Sequence, residues 1–160
     1  MILDTTVLVA AERTAAALDT VVDDEDDVAI AAITAAELLV GVELADGRRR
    51  AQREQFVGDL LGAVFIEGYD VAVARVHAAL LAHVRRAGRQ RGAHDLIIAA
   101  TAVARDRAVV TADASGFEDL PGLSVRAMSL VGLTSPPVAR ERLPLIGSGR
   151  RQGQAQPPVE

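Results

Sequence analysis

The chain has 160 residues, half of them apolar, a formal net charge of −5 and no cysteine. That length suits one domain with a real core, and the absence of cysteine excludes disulfide frameworks, thiolate nucleophiles and thiolate metal sites. All 17 basic residues are arginine, which excludes a Walker A phosphate loop and a Schiff-base lysine.

Residues 1–3 are a short apolar start that ends at Asp4, and helical spacing follows over 7–22. The acidic run 23–27 reads as a loop. Residues 28–33 are apolar and partly β-branched, as a buried parallel strand requires. Thr34-Ala35-Ala36-Glu37 opens a helix that stops before Gly47, and 48–61 is an amphipathic helix. A strand at 64–66 leads to a helix over 70–87. A basic loop at 89–92 precedes an apolar helix over 93–105. A strand at 108–111, a turn at 113–116 and a last short strand at 124–126 complete the pattern.

Strands alternating with helices predict an α/β fold, a central mostly parallel sheet flanked by helices. The expected domain is 1–130. Residues 131–160 hold five of the six prolines and little apolar periodicity, so they read as a disordered C-terminal extension. No run approaches the about 18 apolar residues of a membrane span, and the N-terminus lacks the basic start of a signal peptide. A cytoplasmic protein with no membrane partner is the expectation. Only Phe56, Phe65, Tyr69 and Phe117 are aromatic, so RNA modules that stack bases on aromatic platforms are poor candidates.

Charge is unevenly spread. Residues 1–47 carry eleven acids against Arg13, whereas 48–160 carry sixteen arginines against eleven acids. Solvated helix faces explain much of this, but an acidic site beside a phosphate-attracting surface has the same signature.

The acids fall where ligand sites of parallel sheets gather, at the carboxyl ends of strands. Asp4 ends the first strand, Glu37 follows the second, Asp113 follows the strand ending at Thr111, and Asp95 opens an apolar helix. Each has a local alternative: Asp4 as a helix N-cap, Glu37 as the acid of a capping box with Thr34, Asp95 as a dipole complement, and Asp113 as a turn residue. The local alternatives do not explain the shared location. Two carboxylates ~4 Å apart repel by about 4 kcal/mol at an effective dielectric near 20, so a cluster needs a cation or shared protons. An all-oxygen site favours Mg²⁺ or Mn²⁺ over zinc.

Asp4-Thr5-Thr6-Val7-Leu8-Val9, Glu37-Leu38 with Gly41, His94-Asp95 leading into 96–102, and Thr111-Ala112-Asp113 with Phe117 and 120–123 resemble the PIN-domain ribonucleases, closest to VapC-type toxins of bacterial toxin–antitoxin pairs. The resemblance implies a three-layer PIN fold and an endoribonuclease that hydrolyses RNA with water activated by Mg²⁺ (or Mn²⁺). It implies that Asp4, Glu37, Asp95 and Asp113 are catalytic and hold the metal, and that Thr6 and Thr111 orient a carboxylate or a bound water. It also implies a cognate antitoxin and a homodimer. Asp119 is an alternative fourth acid, and His94 is read as a hydrogen-bonding residue rather than a general base. Arg85, Arg86, Arg89 and Arg91 are candidate contacts to RNA phosphates. Two other readings stay open: a non-catalytic PIN-like interaction module, and an Asp-nucleophile phosphatase, which would need a second aspartate where Thr6 stands.

Overall fold

The computed structural model describes residues 1–14 and 27–128. Five short strands, β1 (Ile2–Leu3), β2 (Ala29–Ala31), β3 (Phe65–Glu67), β4 (Val109–Thr111) and β5 (Val125–Ala127), form one sheet in the order β3-β2-β1-β4-β5. Every pairing is parallel. The helices are α1 (Thr5–Thr14), α2 (Ala32–Glu43), α3 (Gly47–Ala63), α4 (Val71–Arg86) and α5 (Ala93–Ala104).

The central strands β1, β2 and β4 are buried on both faces, whereas Phe65 and Ile66 of β3 and all of β5 are exposed at the sheet's edges, and alternation along the central strands divides the core in two. Ile2, Ala29, Ala31 and Val109 point to one side and pack with Val73, Leu80 and Val84 of α4, Leu96 and Ile98 of α5, and Phe117. Leu3, Ile30 and Val110 point to the other and meet Val7 and Leu8 of α1, Leu38 and Val42 of α2, and Val57 and Leu60 of α3. Helices α4 and α5 thus form one layer, the sheet a second, and α1–α3 a third, the three-layer α/β architecture expected from the sequence.

The acid that ends β3 is paired within this frame. Glu67, only 8% exposed, ends β3 and receives Arg105 at 2.9 Å and Arg107 at 3.4 Å. Arg105 also binds Asp70 at 2.9 Å. Asp70 caps α4 by accepting the Val73 amide at 3.0 Å, and that bond together with Arg105 holds its carboxyl below the usual range.

Two local expectations change. Helix α1 begins at Thr5, not at residue 7, and its expected part beyond Thr14, like the acidic run 23–26 and the extension 131–160, lies outside the described residues. The second strand ends at Ala31 and α2 begins at once, so Thr34 lies inside the helix and no capping box forms. The reason is tertiary. Thr34, Ala35, Leu38 and Val42 are the buried residues of α2, and their helical spacing turns one stripe into the core. Among the described residues no helix is long and apolar enough to cross a membrane.

Candidate metal and active site

The chain reverses direction across the sheet at β1, whose neighbours are β2 and β4. Above such a switch point the loops part and leave a crevice. Asp4 leaves β1 into it, and Thr111 ends β4 beside it, because Asp4 donates its amide to Val110 O at 2.9 Å.

Asp4 is buried, at 4% exposure, and a buried carboxylate needs partners. It has three. The Thr5 amide donates to Oδ1 at 2.8 Å, and the hydroxyls of Thr6 and Thr111 donate to Oδ2 at 2.6 and 2.8 Å. The two hydroxyls also serve the β4 loop: Thr6 Oγ1 accepts the Ala112 amide at 3.1 Å and Thr111 Oγ1 the Asp113 amide at 3.0 Å. Asp4 therefore does sit at the start of α1, but its side chain is tied to β4 as well.

Glu37 faces the same crevice from α2. Its Oε2 accepts from Thr5 Oγ1 at 2.5 Å, and its Oε1 meets His94 Nδ1 at 2.5 Å. Thr5 thus joins two acids, one through its amide and one through its hydroxyl. Asp113 is exposed and caps the 3₁₀ turn Ala114–Gly116 by accepting the Ser115 amide at 3.0 Å. Its bonds to Ser115 hold its carboxyl below the ordinary range.

Asp95 is where the acids meet. Its carboxyl is raised above its ordinary value, first by burial, then by the charges of Asp4, Glu37 and Asp113, with His94 opposing. Backbone closes on it from two sides. An alanine Cβ at Gly116 would stand 2.8 Å from Asp95 Oδ2, and one at Gly92 would stand closer still. Only glycine lets both loops approach this carboxylate.

Asp119 does not belong to the group, since it pairs with Arg89 and is held low by that guanidinium. Glu43 pairs with Arg50 at 3.1 Å on the surface. Of the four candidate arginines, Arg85 and Arg86 are exposed in the last turn of α4. Arg89 pairs with Asp119, and Arg91 donates to the carbonyls of Ser115 and Glu118 at 2.6 and 3.0 Å.

Sequence reasoning missed Thr5, Gly92, Gly116 and the Glu37–His94 bond. The Asp4-Thr5-Thr6 run held a signal, two hydroxyls after one acid, but which acid each would serve depends on the fold.

Four carboxylates surround one crevice, and all could hold a cation. Among the described residues, no three acidic or histidine side chains close on one point. Asp4, Glu37 and Asp113 are instead turned to hydroxyl, amide and imidazole partners, as mutually repelling groups are. The donor set nonetheless fits a hard divalent ion: it is all oxygen, it carries like charges whose repulsion a cation relieves, and Asp95 already resists ionisation.

A family model described as PIN domain matches residues 1–123. The chain is 27% identical over 131 residues to a protein named Ribonuclease VapC from Rickettsia bellii (strain RML369-C), covering 81% of this chain and 97% of that protein. The structure of VapBC2 from Rickettsia felis, bound to a DNA fragment from their promoter, matches with a TM-score of 0.72 at 22% identity, over 79% of this chain and 97% of that one. VapBC-5 from Mycobacterium tuberculosis, a member of the VapBC family of toxin–antitoxin systems, matches with a TM-score of 0.62 at 27% identity over the same shares, 79% and 97%.

Proposed function

Because the chain belongs to the PIN-domain family, we propose that it is a metal-dependent endoribonuclease, the toxin of a toxin–antitoxin pair, with Asp4, Glu37, Asp95 and Asp113 as its catalytic and metal-holding residues. The observation that carries this reading is the Asp95 carboxylate at the sheet's switch point, closed in by the Gly92 and Gly116 backbones and raised above its ordinary value by burial and by the charges of Asp4, Glu37 and Asp113. The relative named as a ribonuclease supports the reaction class. The toxin–antitoxin description of a solved neighbour at 27% identity supports the pairing with an antitoxin. An RNA substrate and such a partner support a cytoplasmic site of action.

Asp4, Glu37, Asp95 and Asp113 would hold Mg²⁺ or Mn²⁺, which would supply charge to activate a water and to offset the charge growing on the phosphoryl oxygens. The protein supplies the positions. Thr6 and Thr111 fix the Asp4 carboxylate through Oδ2, and Thr5 fixes both Asp4 and Glu37. His94 holds the other oxygen of Glu37. Arg85 and Arg86, exposed and without ion pairs among the described residues, supply cations for the RNA backbone.

The phosphatase reading loses its nucleophile here. Asp4 is buried under three donors, and Thr6, which stands where a second aspartate is needed, is one of them. Protein contact has surface available. Phe65 is 62% exposed and Val71 68%, and Ala32, Ile33, Ala36, Tyr69, Ile97 and Thr101 line an apolar hollow of about 340 Å³. Such surface suits the antitoxin and a second copy of the chain.

Titration with Mn²⁺ tests the site. Wild type should show saturable binding that Asp4→Asn and Asp95→Asn both lose. Equal binding by all three proteins would leave a non-catalytic interaction module as the better reading.

A further inference from the structure

We propose that Arg91 is a positioning residue that holds the turn carrying Asp113 closed against Asp95, and that it does not bind RNA itself. The inference rests on the nuclease reading above for its consequence, but its geometry stands alone.

Arg91 lies two residues before α5. Its guanidinium forks across the turn after β4, with Nη1 on Ser115 O at 2.6 Å and Nη2 on Glu118 O at 3.0 Å. Its Nε is buried and has no hydrogen-bond partner. With both Nη atoms engaged by main-chain carbonyls and Nε enclosed, this guanidinium keeps one N–H on each Nη for any other partner and can turn its whole fork to a phosphate only by releasing the turn. Arg89 adds a second link, but its pair with Asp119 is exposed on both sides, 51% and 67%, and such pairs hold weakly.

Between the two linked loops lies the Asp95 carboxylate, with Gly92 on the Arg91 loop and Gly116 on the turn packed onto the same oxygen. The span held by Arg91, from Ser115 to Glu118, begins two residues after Asp113. Phe117 within that span and Leu120 beyond it are buried in the core and anchor the turn's inner side separately. Loss of Arg91 should therefore loosen the turn without unfolding the domain. Asp95 and Asp113 come from different elements, and the Arg91 fork ties the loop before Asp95 to the turn after Asp113.

The test uses the full chain and the variants Arg91→Ala and Arg91→Lys, with three readouts: amide hydrogen exchange, Mn²⁺ affinity, and RNA cleavage kinetics. Arg91→Ala should speed exchange at 114–118 about tenfold while the strands keep their protection. It should weaken Mn²⁺ binding by about tenfold, as loss of a group that orients metal ligands does. It should lower kcat and leave KM for RNA within about twofold, because the site is displaced and no phosphate contact is lost. Arg91→Lys should fall between, since one ammonium cannot span both carbonyls. Unchanged exchange with a raised KM and a weaker salt dependence would overturn the proposal in favour of a phosphate contact. Faster exchange with unchanged Mn²⁺ affinity would overturn it too, leaving a surface tether. If wild type itself neither binds Mn²⁺ nor cleaves RNA, the nuclease reading fails, and the exchange result alone decides whether Arg91 holds the turn.

Discussion

Thr111→Val and Thr34→Val make the same chemical change at two buried sites, and the structure predicts opposite signs. Both threonines are fully buried, at 0% exposure. Thr111 donates to Asp4 Oδ2 at 2.8 Å, one of three donors that hold a carboxylate removed from water. A hydrogen bond to a charged group contributes about 1.5–3 kcal/mol, and the methyl of valine cannot replace it. The Asp113 amide loses its acceptor as well, in a part-buried bond of 3.0 Å. A cost of about 2–3 kcal/mol follows, and at about 2–4 °C per kcal/mol for a chain of this size the melting temperature should fall by about 5–10 °C. Thr34 Oγ1 has no partner. Replacing an unsatisfied hydroxyl by a methyl of the same shape relieves a desolvation cost, so Thr34→Val should gain about 1 kcal/mol and rise by about 2–4 °C. Thermal melts followed by circular dichroism, run without metal, read both. Equal shifts for the two variants, or a Thr111→Val melt that matches wild type, would refute the claim that Asp4 depends on the Thr111 hydroxyl.

Gly116→Ala places a Cβ 2.8 Å from Asp95 Oδ2 and should lower RNA cleavage by about 100-fold, the usual effect of an ångström-scale displacement. Gly58→Ala in α3 meets nothing within 4 Å and should leave cleavage unchanged. Asp95→Asn should melt higher than wild type at neutral pH without metal, since it removes a carboxylate that burial and three acids keep from ionising easily. The pH dependence has a definite sign. The folded-state value of Asp95 lies above the ordinary 3.8, so between the two values the folded chain binds more protons than the unfolded one, and metal-free stability rises as pH falls through that window. Below about 3.8 the trend reverses, because Asp70, Asp113 and Asp119 are held low by their partners and lose those interactions on protonation. Melts across pH 7 to 3 should show the rise in wild type and its absence in Asp95→Asn.

Much of this site is legible before any coordinates exist, because it depends on strand ends. Asp4, Thr111 and Asp113 follow short apolar strands directly, and parallel topology brings such ends to one edge. Asp95 is legible for a related reason, as an acid at the start of a helix too apolar to be anything but core. Interactions between distant segments are harder to read. Residues 28–36 form one apolar run that suits a strand or a buried helix equally, so the break at Ala31–Ala32 and the loss of the Thr34–Glu37 capping box follow from packing of the α2 stripe. Glu37 obeys a local pattern in the sequence, yet its bonds go to Thr5 and His94, 32 and 57 residues away. Arg89 and Arg91 form a basic cluster on paper. In the fold their charges are turned to Asp119 and to two carbonyls, partners that no one-dimensional pattern reveals.

If four carboxylates at the sheet's edge cleave RNA with a divalent ion, the cleavage must need both the ion and Asp95. Purified wild type and Asp95→Asn, each free of any antitoxin, would be incubated with total cellular RNA in Mg²⁺, in Mn²⁺ or in EDTA. Discrete fragments from wild type in either metal, with none in EDTA and none from Asp95→Asn, are the predicted result. Cleavage that survives EDTA or the Asp95→Asn change, or intact RNA in every wild-type lane while the protein is folded, would contradict it.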